Sequence, residues 1–396
     1  MTLKECYQAA LNRAETVHIS EEEIRAARGR YKQALGVLLP QISFEASEFL
    51  QDTSGVGGGS TGVGGTFTRK SRPEAAFTAT QNLFQGVKAV SGLKAAKADR
   101  VRTQYLHKEA QRLLFADVAE AFYAAASLEK DLATHAEIIG VLKERIDEMK
   151  KWVSIGRARL SERLATETEL ALLSAEEEGI RGGLAVAYEA LSFLTGFNPA
   201  PRIVLEPSGV LDSLAHYLSV AETRPDVLAA KKNRVVAKGT LGVEKSALAP
   251  DVDVTGNYYL YRVGFQNEIN WDALFTLNFP LFNMESYGSI QEAKARMKQA
   301  EMEMKKSERE AESQVRQAYL AAESALKQSR FSATGAAKAR ESYLGAREDH
   351  RLGLVSNLEV LQAQRTWLAA ARLKNAADIR ARLVFAKLKA TSGVEP

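Results

Sequence analysis

Phe77-Thr78-Ala79-Thr80-Gln81-Asn82-Leu83-Phe84 returns in the second half of the chain as Phe275-Thr276-Leu277-Asn278-Phe279-Pro280-Leu281-Phe282. Both stretches alternate. Ala75, Phe77 and Ala79 share one side opposite Thr78 and Thr80, and Ala273, Phe275, Leu277 and Phe279 repeat the pattern. A period of two with one polar face predicts β-strands. Each has a partner run upstream. In 41–47, Ile42, Phe44 and Ala46 alternate with Ser43, Glu45 and Ser47, and in 251–255, Val252 and Val254 alternate with Asp251, Asp253 and Thr255. Runs of about ten residues match the length of tilted membrane-spanning strands. Periodicity alone fits equally a pair of soluble hairpins packed on helices. The membrane reading puts Ile42, Phe44, Phe77, Val252, Val254, Phe275 and Phe279 toward lipid.

The repetition extends outward. Val118-Ala119-Glu120-Ala121-Phe122-Tyr123-Ala124-Ala125 recurs as Val315-Arg316-Gln317-Ala318-Tyr319-Leu320-Ala321-Ala322, 197 positions later, and the same offset carries Gly156 to Gly353, Glu162 to Glu359, Leu191 to Leu388 and Gly196 to Gly393. Matching glycine breaks mark a duplication, which Ala-rich composition alone does not produce. Each copy reads as a helix, a stop at Leu39-Pro40 or Ala249-Pro250, a strand hairpin, and a long helical hairpin. The expected divisions are 1–39, 40–85 and 86–196 in the first copy, a linker at 197–211, and 212–249, 250–283 and 284–393 in the second. Each first helix is expected to be continuous, over about 3–36 and 214–246.

The long helices are proline-free over about 65 residues each, from 87 and from 286. At 1.5 Å per residue such a rod measures on the order of 100 Å. Ile290, Ala293, Met297, Ala300, Met304, Ser307 and Ala311 step by alternating threes and fours, a heptad seam. Its small residues bury little area each, so several helices must pack side by side. Gly353 suits a left-handed helix end, and Ser356 with Glu359 predicts a capping box that starts the return helix. Trp152 and Arg157-Ala158-Arg159 make the first turn bulky and basic, for which the sequence offers no reason.

With 53 basic and 49 acidic residues the net charge is +4, too balanced for a nucleic-acid binder. No apolar run reaches the roughly 20 residues of a membrane helix. The first residues lack the apolar core of a signal peptide, so the chain reads either as cytosolic or as a mature form with a start Met; the organisation favours the second. The single cysteine, Cys6, falls inside the first helix and reads as a buried small residue. The five histidines show no metal-ligand spacing, no nucleophile elbow occurs, and no metal, cofactor or catalytic residue is expected. Gly57, Gly59 and Gly62 formally match a dinucleotide fingerprint, but a strand follows instead of a helix, so 55–65 reads as a hairpin loop.

The order of helix, Leu39-Pro40, hairpin and helical hairpin, doubled, resembles the TolC family of outer membrane efflux proteins. The residues carrying the resemblance are Leu3-Lys4-Glu5 with Ala9-Ala10-Leu11-Asn12, Leu39-Pro40, Asn82-Leu83-Phe84, Arg224-Pro225-Asp226-Val227, Pro280-Leu281-Phe282-Asn283, and Gly353 followed by Ser356, Glu359-Val360-Leu361 and Ala363. It covers essentially the whole chain. The resemblance implies a mixed α+β membrane protein that trimerises into a twelve-stranded β-barrel in the outer-membrane lipid, continued by a periplasmic α-helical barrel. It implies an exit duct, with no enzymatic activity, partnered by a periplasmic adaptor and an inner-membrane pump. By the same resemblance Gly156, Arg157, Gly353, Leu354, Val355 and Ser356 form the adaptor-docking tips, and Glu359 and Gln362 line the aperture. Glu359 keeps the acid found in relatives, Gln362 does not, and the capping box accounts for Glu359 equally well. Two alternatives stay open: a duct for type I protein or peptide secretion, and a cytosolic coiled-coil scaffold.

Overall fold

The computed structural model describes residues 1–52, 70–198, 202–206, 209–263 and 268–393, so the glycine-rich stretch 55–65 lies outside the described residues. The elements are α1 (Leu3–Arg13), α2 (Glu15–Gly36), β1 (Gln41–Leu50), β2 (Ser71–Gln85), α3 (Lys88–Ser154), α4 (Leu160–Thr195), α5 (Leu214–Ala221), α6 (Pro225–Lys245), β3 (Asp251–Arg262), β4 (Trp271–Asn278), α7 (Met284–Arg351) and α8 (Asn357–Ser392). Two units are formed. One gathers Met1–Ser20, Leu106–Val227 and Ser307–Pro396; the other gathers Glu21–Tyr105 and Leu228–Lys306.

Neither first helix is continuous, which corrects the sequence expectation. A capping box between Thr2 and Glu5 starts α1, and Ala14 then turns extended, with ψ at 114°. The change of direction lets Cys6 and Ala10 of α1 join Val17 of α2 in one core with Val118, Phe122 and Leu191. Alanine carries no turn signal; packing decides the break. In the second copy the cause is local. Arg224 precedes Pro225, which disfavours helical geometry at Arg224, and Pro225 then opens α6 at the position where its missing N–H costs nothing.

The duplication shows in the packing of the first unit. Val118, Ala125 and Leu191 belong to one core cluster, and their counterparts Val315, Ala322 and Leu388 to another. Tyr217 and Ala221 of α5 enter the second cluster as Cys6 and Ala10 enter the first. Both return helices end on left-handed glycines, Gly196 at φ +79° and Gly393 at φ +85°. An arginine abuts each. A Cβ on Gly196 would meet Arg13 Nη1 at 2.9 Å, and one on Gly393 would meet Arg224 Cγ at 3.3 Å. Burial pushes the Cys6 thiol up to about 11, so it stays an unreactive thiol at neutral pH.

The second unit holds a four-stranded antiparallel sheet in the order β1-β2-β3-β4. The register pairs Phe44 with Phe77, Phe77 with Tyr258, and Val254 with Phe275. Paired residues share a side of the sheet, so Ile42, Phe44, Phe77, Val252, Val254, Tyr258, Trp271, Phe275 and Leu277 lie on one face. Ser43, Thr78, Asp253, Asn257, Tyr259, Asp272 and Thr276 lie on the other. Phe279 stands one residue beyond β4. The polar face is bonded across strands: Thr78 Oγ1 donates to Asn257 Oδ1 at 2.9 Å, Asn257 Nδ2 and Tyr259 Oη each donate to Asp272 at 2.8 Å, and Arg262 reaches Glu74 at 3.3 Å. On the apolar face, Phe275 and Leu277 are 69% and 70% exposed, against the rule that large apolar side chains are buried.

Helix α6 lies very close to α3 in this unit. A Cβ on Gly239 would stand 2.7 Å from Ala95 Cβ, and one on Gly242 2.4 Å from Ser91 Oγ. Small residues on both helices permit that approach. The α7 seam behaves as its spacing predicts: Ala293, Ala300 and Ala311 are buried, Ile290, Met297, Met304 and Ser307 half-buried, and Lys305, Lys306 and Arg309 exposed.

Candidate functional site

The two turns that close the helical hairpins lie within the first unit, and each is built by backbone hydrogen bonding around one glycine. Gly156 sits at φ +74° and Gly353 at φ +81°. After α3, Arg157 N donates to Trp152 O at 2.8 Å and Gly156 N to Val153 O at 3.1 Å; after α7, Leu354 N donates to Asp349 O at 2.9 Å and Gly353 N to His350 O at 3.0 Å. This is the paired six-to-one and five-to-two bonding of a Schellman ending, in both copies. No neighbouring atom limits a side chain at either glycine; the left-handed backbone alone selects them.

The helices that restart differ. At α8, Ser356 Oγ accepts from Glu359 N at 3.4 Å. The Glu359 carboxylate accepts from the Ser356 hydroxyl at 3.2 Å, where a full box would have it accept from the Ser356 backbone N–H. Half of the expected box is therefore formed. At α4, Arg159 occupies the cap position with no side-chain hydrogen bond.

Polar contacts behind the turns join the helices. Arg145 of α3, 2% exposed, donates from Nε and Nη2 to Asn357 Oδ1 at 3.1 and 2.8 Å. Asn357 opens α8 and donates in turn to Glu162 O at 3.1 Å and Thr166 Oγ1 at 3.2 Å on α4. Arg347 of α7 donates to Glu148 of α3 at 2.7 Å. Arg365 of α8 pairs with Glu169 of α4, its Nε 2.9 Å from Oε1. Burial holds the Arg145 guanidinium below its ordinary value, opposed by the nearby Tyr343 and Glu148.

The bulk and charge of the first turn now have a cause. Trp152 stacks on His350 with ring centres 5.4 Å apart and 14° between planes. Arg157 lies over the Trp152 ring at 5.2 Å and donates from Nη2 to Arg351 O at 3.1 Å. Trp152 and Arg157 thus clasp the end of the first hairpin to the end of the second.

Of the residues singled out from sequence, Gly156, Arg157, Gly353, Leu354 and Ser356 are exposed at the turns, with Leu354 72% exposed. Val355 turns inward against the cluster of Ile138, Leu142, Tyr343 and Val360. Glu359 and Gln362 are both exposed on the first turns of α8, one step of three apart and so on one side of the helix. Sequence reading missed Arg145, Asn357 and His350. An arginine among charged helix positions reads as solvated, and partners some 200 residues apart give no local signal.

The described residues contain no helix long and apolar enough to cross a membrane and no cluster of side chains that could hold a metal ion. Solved structures share this fold. The outer membrane protein VceC of Vibrio cholerae superposes with a TM-score of 0.84 at 19% identity, covering 99% of this chain and 97% of that one. The MtrE outer membrane channel of Neisseria gonorrhoeae, in its open state, gives 0.82 at 19% identity over 99% and 89%. The CmeC outer membrane channel of Campylobacter jejuni gives 0.82 at 16% over 99% and 85%. A search of curated protein sequences gave no match. The family model described as outer membrane efflux protein matches residues 6–197 and 217–393, and the chain therefore belongs to that family of outer-membrane efflux channels with periplasmic helices, passive conduits and not enzymes.

Proposed function

We propose that three copies of this chain assemble into one exit duct, with a twelve-stranded barrel in the outer membrane and a gate at the hairpin turns. Channels of the family form trimers and work with an adaptor and an inner-membrane pump in tripartite systems. The observation that carries the reading is the sheet. Its strands β1 and β4 are edges, and one face carries the exposed apolar side chains of Ile42, Phe44, Phe77, Tyr258, Trp271, Phe275 and Leu277. An open edge is not tolerated in lipid, and four strands are too few to close, since about eight is the practical minimum. Three copies supply twelve. The bonded polar face then lines the lumen, and the apolar face meets lipid.

In this reading the turn residues Gly156, Arg157, Gly353, Leu354, Val355 and Ser356 dock the adaptor. Glu359 and Gln362, on the exposed side of α8, line the aperture. The chain needs no chemistry of its own, because the pump supplies the energy and the duct supplies a wet path. Light scattering on detergent-solubilised protein tests the assembly. Three chains per particle are expected, and a stable monomer in detergent-free buffer would overturn it.

A further inference from the structure

We propose that His350 makes the hairpin turns responsive to pH: protonation of its imidazole drives it off Trp152, opens the Arg157–Arg351 clasp and lets the two turns part. The inference rests on the reading of the turns as a gate. Its basis is geometric. The imidazole lies flat on Trp152, and its Nδ1 is buried with no hydrogen-bond partner among the described residues. A second ring proton on that nitrogen would have no acceptor and no water.

The charges facing the ring come from every element around it. Arg145 and Glu148 face it from α3, Arg157 from the turn, and Glu162 from α4. Glu148 is already committed to Arg347 at 2.7 Å. Arg157 also lies over the Trp152 ring, so a protonated imidazole would bring a second cation to the same indole. Burial is the largest cause holding the imidazole below its usual value, and the neighbouring Arg145 adds to it.

The direction follows by linkage. With the turns parted, the imidazole meets water and titrates near its ordinary value of about 6.5; with the turns closed, it titrates lower. Above both values neither state holds the proton, and pH has no effect through this group. As pH falls through the ordinary value, the parted state takes up the proton first. The closed state loses its advantage by about tenfold for each unit separating the two values, until pH passes the lower one.

Single-channel recording in planar bilayers at about pH 7.5 and about pH 5.5, the window in which histidine titrates, tests the switch. Wild-type protein is expected to raise its open fraction on acidification. His350→Gln should stay at the neutral-pH level at both values, and His350→Arg should be open at both. Should His350→Arg fail to assemble, Trp152 emission in a Trp271→Phe, Trp367→Phe background serves instead, with acid unstacking expected to change it only while His350 is present. An equal acid response in His350→Gln overturns the proposal. A protein that conducts equally at both values overturns the switch and leaves the duct standing. A trimer that conducts at neither overturns the gate reading beneath it.

Discussion

The Asn357 side chain takes two hydrogen bonds from Arg145, a residue 212 positions away, and returns two to α4. One amide thus joins three helices from both halves of the duplication. Both its oxygen and its nitrogen are used, which no other uncharged side chain of that length can do except in a different shape. The guanidinium it satisfies is fully enclosed, so the contact matters chiefly for what its loss would leave behind.

Asn357→Ala should therefore destabilise the helical unit by about 3 kcal/mol, because it leaves the buried Arg145 guanidinium without its acceptor and with only Glu148, at 4.0 Å, to balance it. Asn357→Asp restores an acceptor but loses the donors to Glu162 O and Thr166, and should recover only part. Thermal unfolding followed by helical circular dichroism decides; equal melting of Asn357→Ala and wild type would refute the role.

Arg224 and Arg13 occupy equivalent places beside Gly393 and Gly196, but their settings differ. Arg224 is 2% exposed and donates to Asp226, to Gln314 at 3.0 Å and to Thr391 O at 3.2 Å, whereas Arg13 is exposed. Arg224→Ala is expected to cost about 2–3 kcal/mol and Arg13→Ala about 1 kcal/mol or less. Urea unfolding midpoints of the two variants give the comparison.

Gly239 is fixed by proximity. Gly239→Val would drive a side chain into Ala95 and the Ser91 carbonyl, 2.9 Å from its Cβ, with an overpacking cost of about 1–3 kcal/mol. Gly288 meets no atom within 4 Å, so Gly288→Ala should stabilise α7 by about 0.5–1 kcal/mol. Opposite shifts of the melting temperature are the expected result.

Phe275 and Thr276 are neighbours on opposite faces of β4, paired with Val254 and Asp253. Arginine at a lipid-facing position costs about 2–4 kcal/mol near the bilayer midplane. Phe275→Arg should lower the yield of assembled protein in outer-membrane fractions, and Thr276→Arg should not. Equal yields would reverse or abolish the assignment of faces.

Glu359→Gln separates the two roles open to that residue. Gln keeps an acceptor for the Ser356 hydroxyl and, in the proposed trimer, would remove three like charges from the mouth. A modest fall in cation selectivity with unchanged helicity is expected, since Gln362 leaves one acidic position per chain there. Unchanged selectivity would leave Glu359 as a capping residue alone.

Much of this was legible because it is local. Strand alternation around Phe77 and Phe275, the glycines at 156 and 353, and the alanine seam of α7 each announce themselves within a dozen residues. The turn at Ala14 did not, since the core that Cys6 and Val17 share is assembled by helices far along the chain. The break before Pro225 was in principle readable, because a residue preceding proline resists helical geometry. The Arg145–Asn357 and Trp152–His350 contacts were not: each joins residues about two hundred positions apart whose types are ordinary on a helix surface.

The register between β2 and β3 has a kinetic meaning. Thr78 pairs with Asn257, so the central seam of the sheet joins residues 179 positions apart. Nothing in the first half of the chain can complete that seam. During export the hairpin of β1 and β2 must wait, with the inner edge of β2 unpaired, until the second half has arrived and found it. Pairings of such long range are slow to form and exposed to misassociation while they wait. The steps before membrane insertion are thus where this fold is most vulnerable.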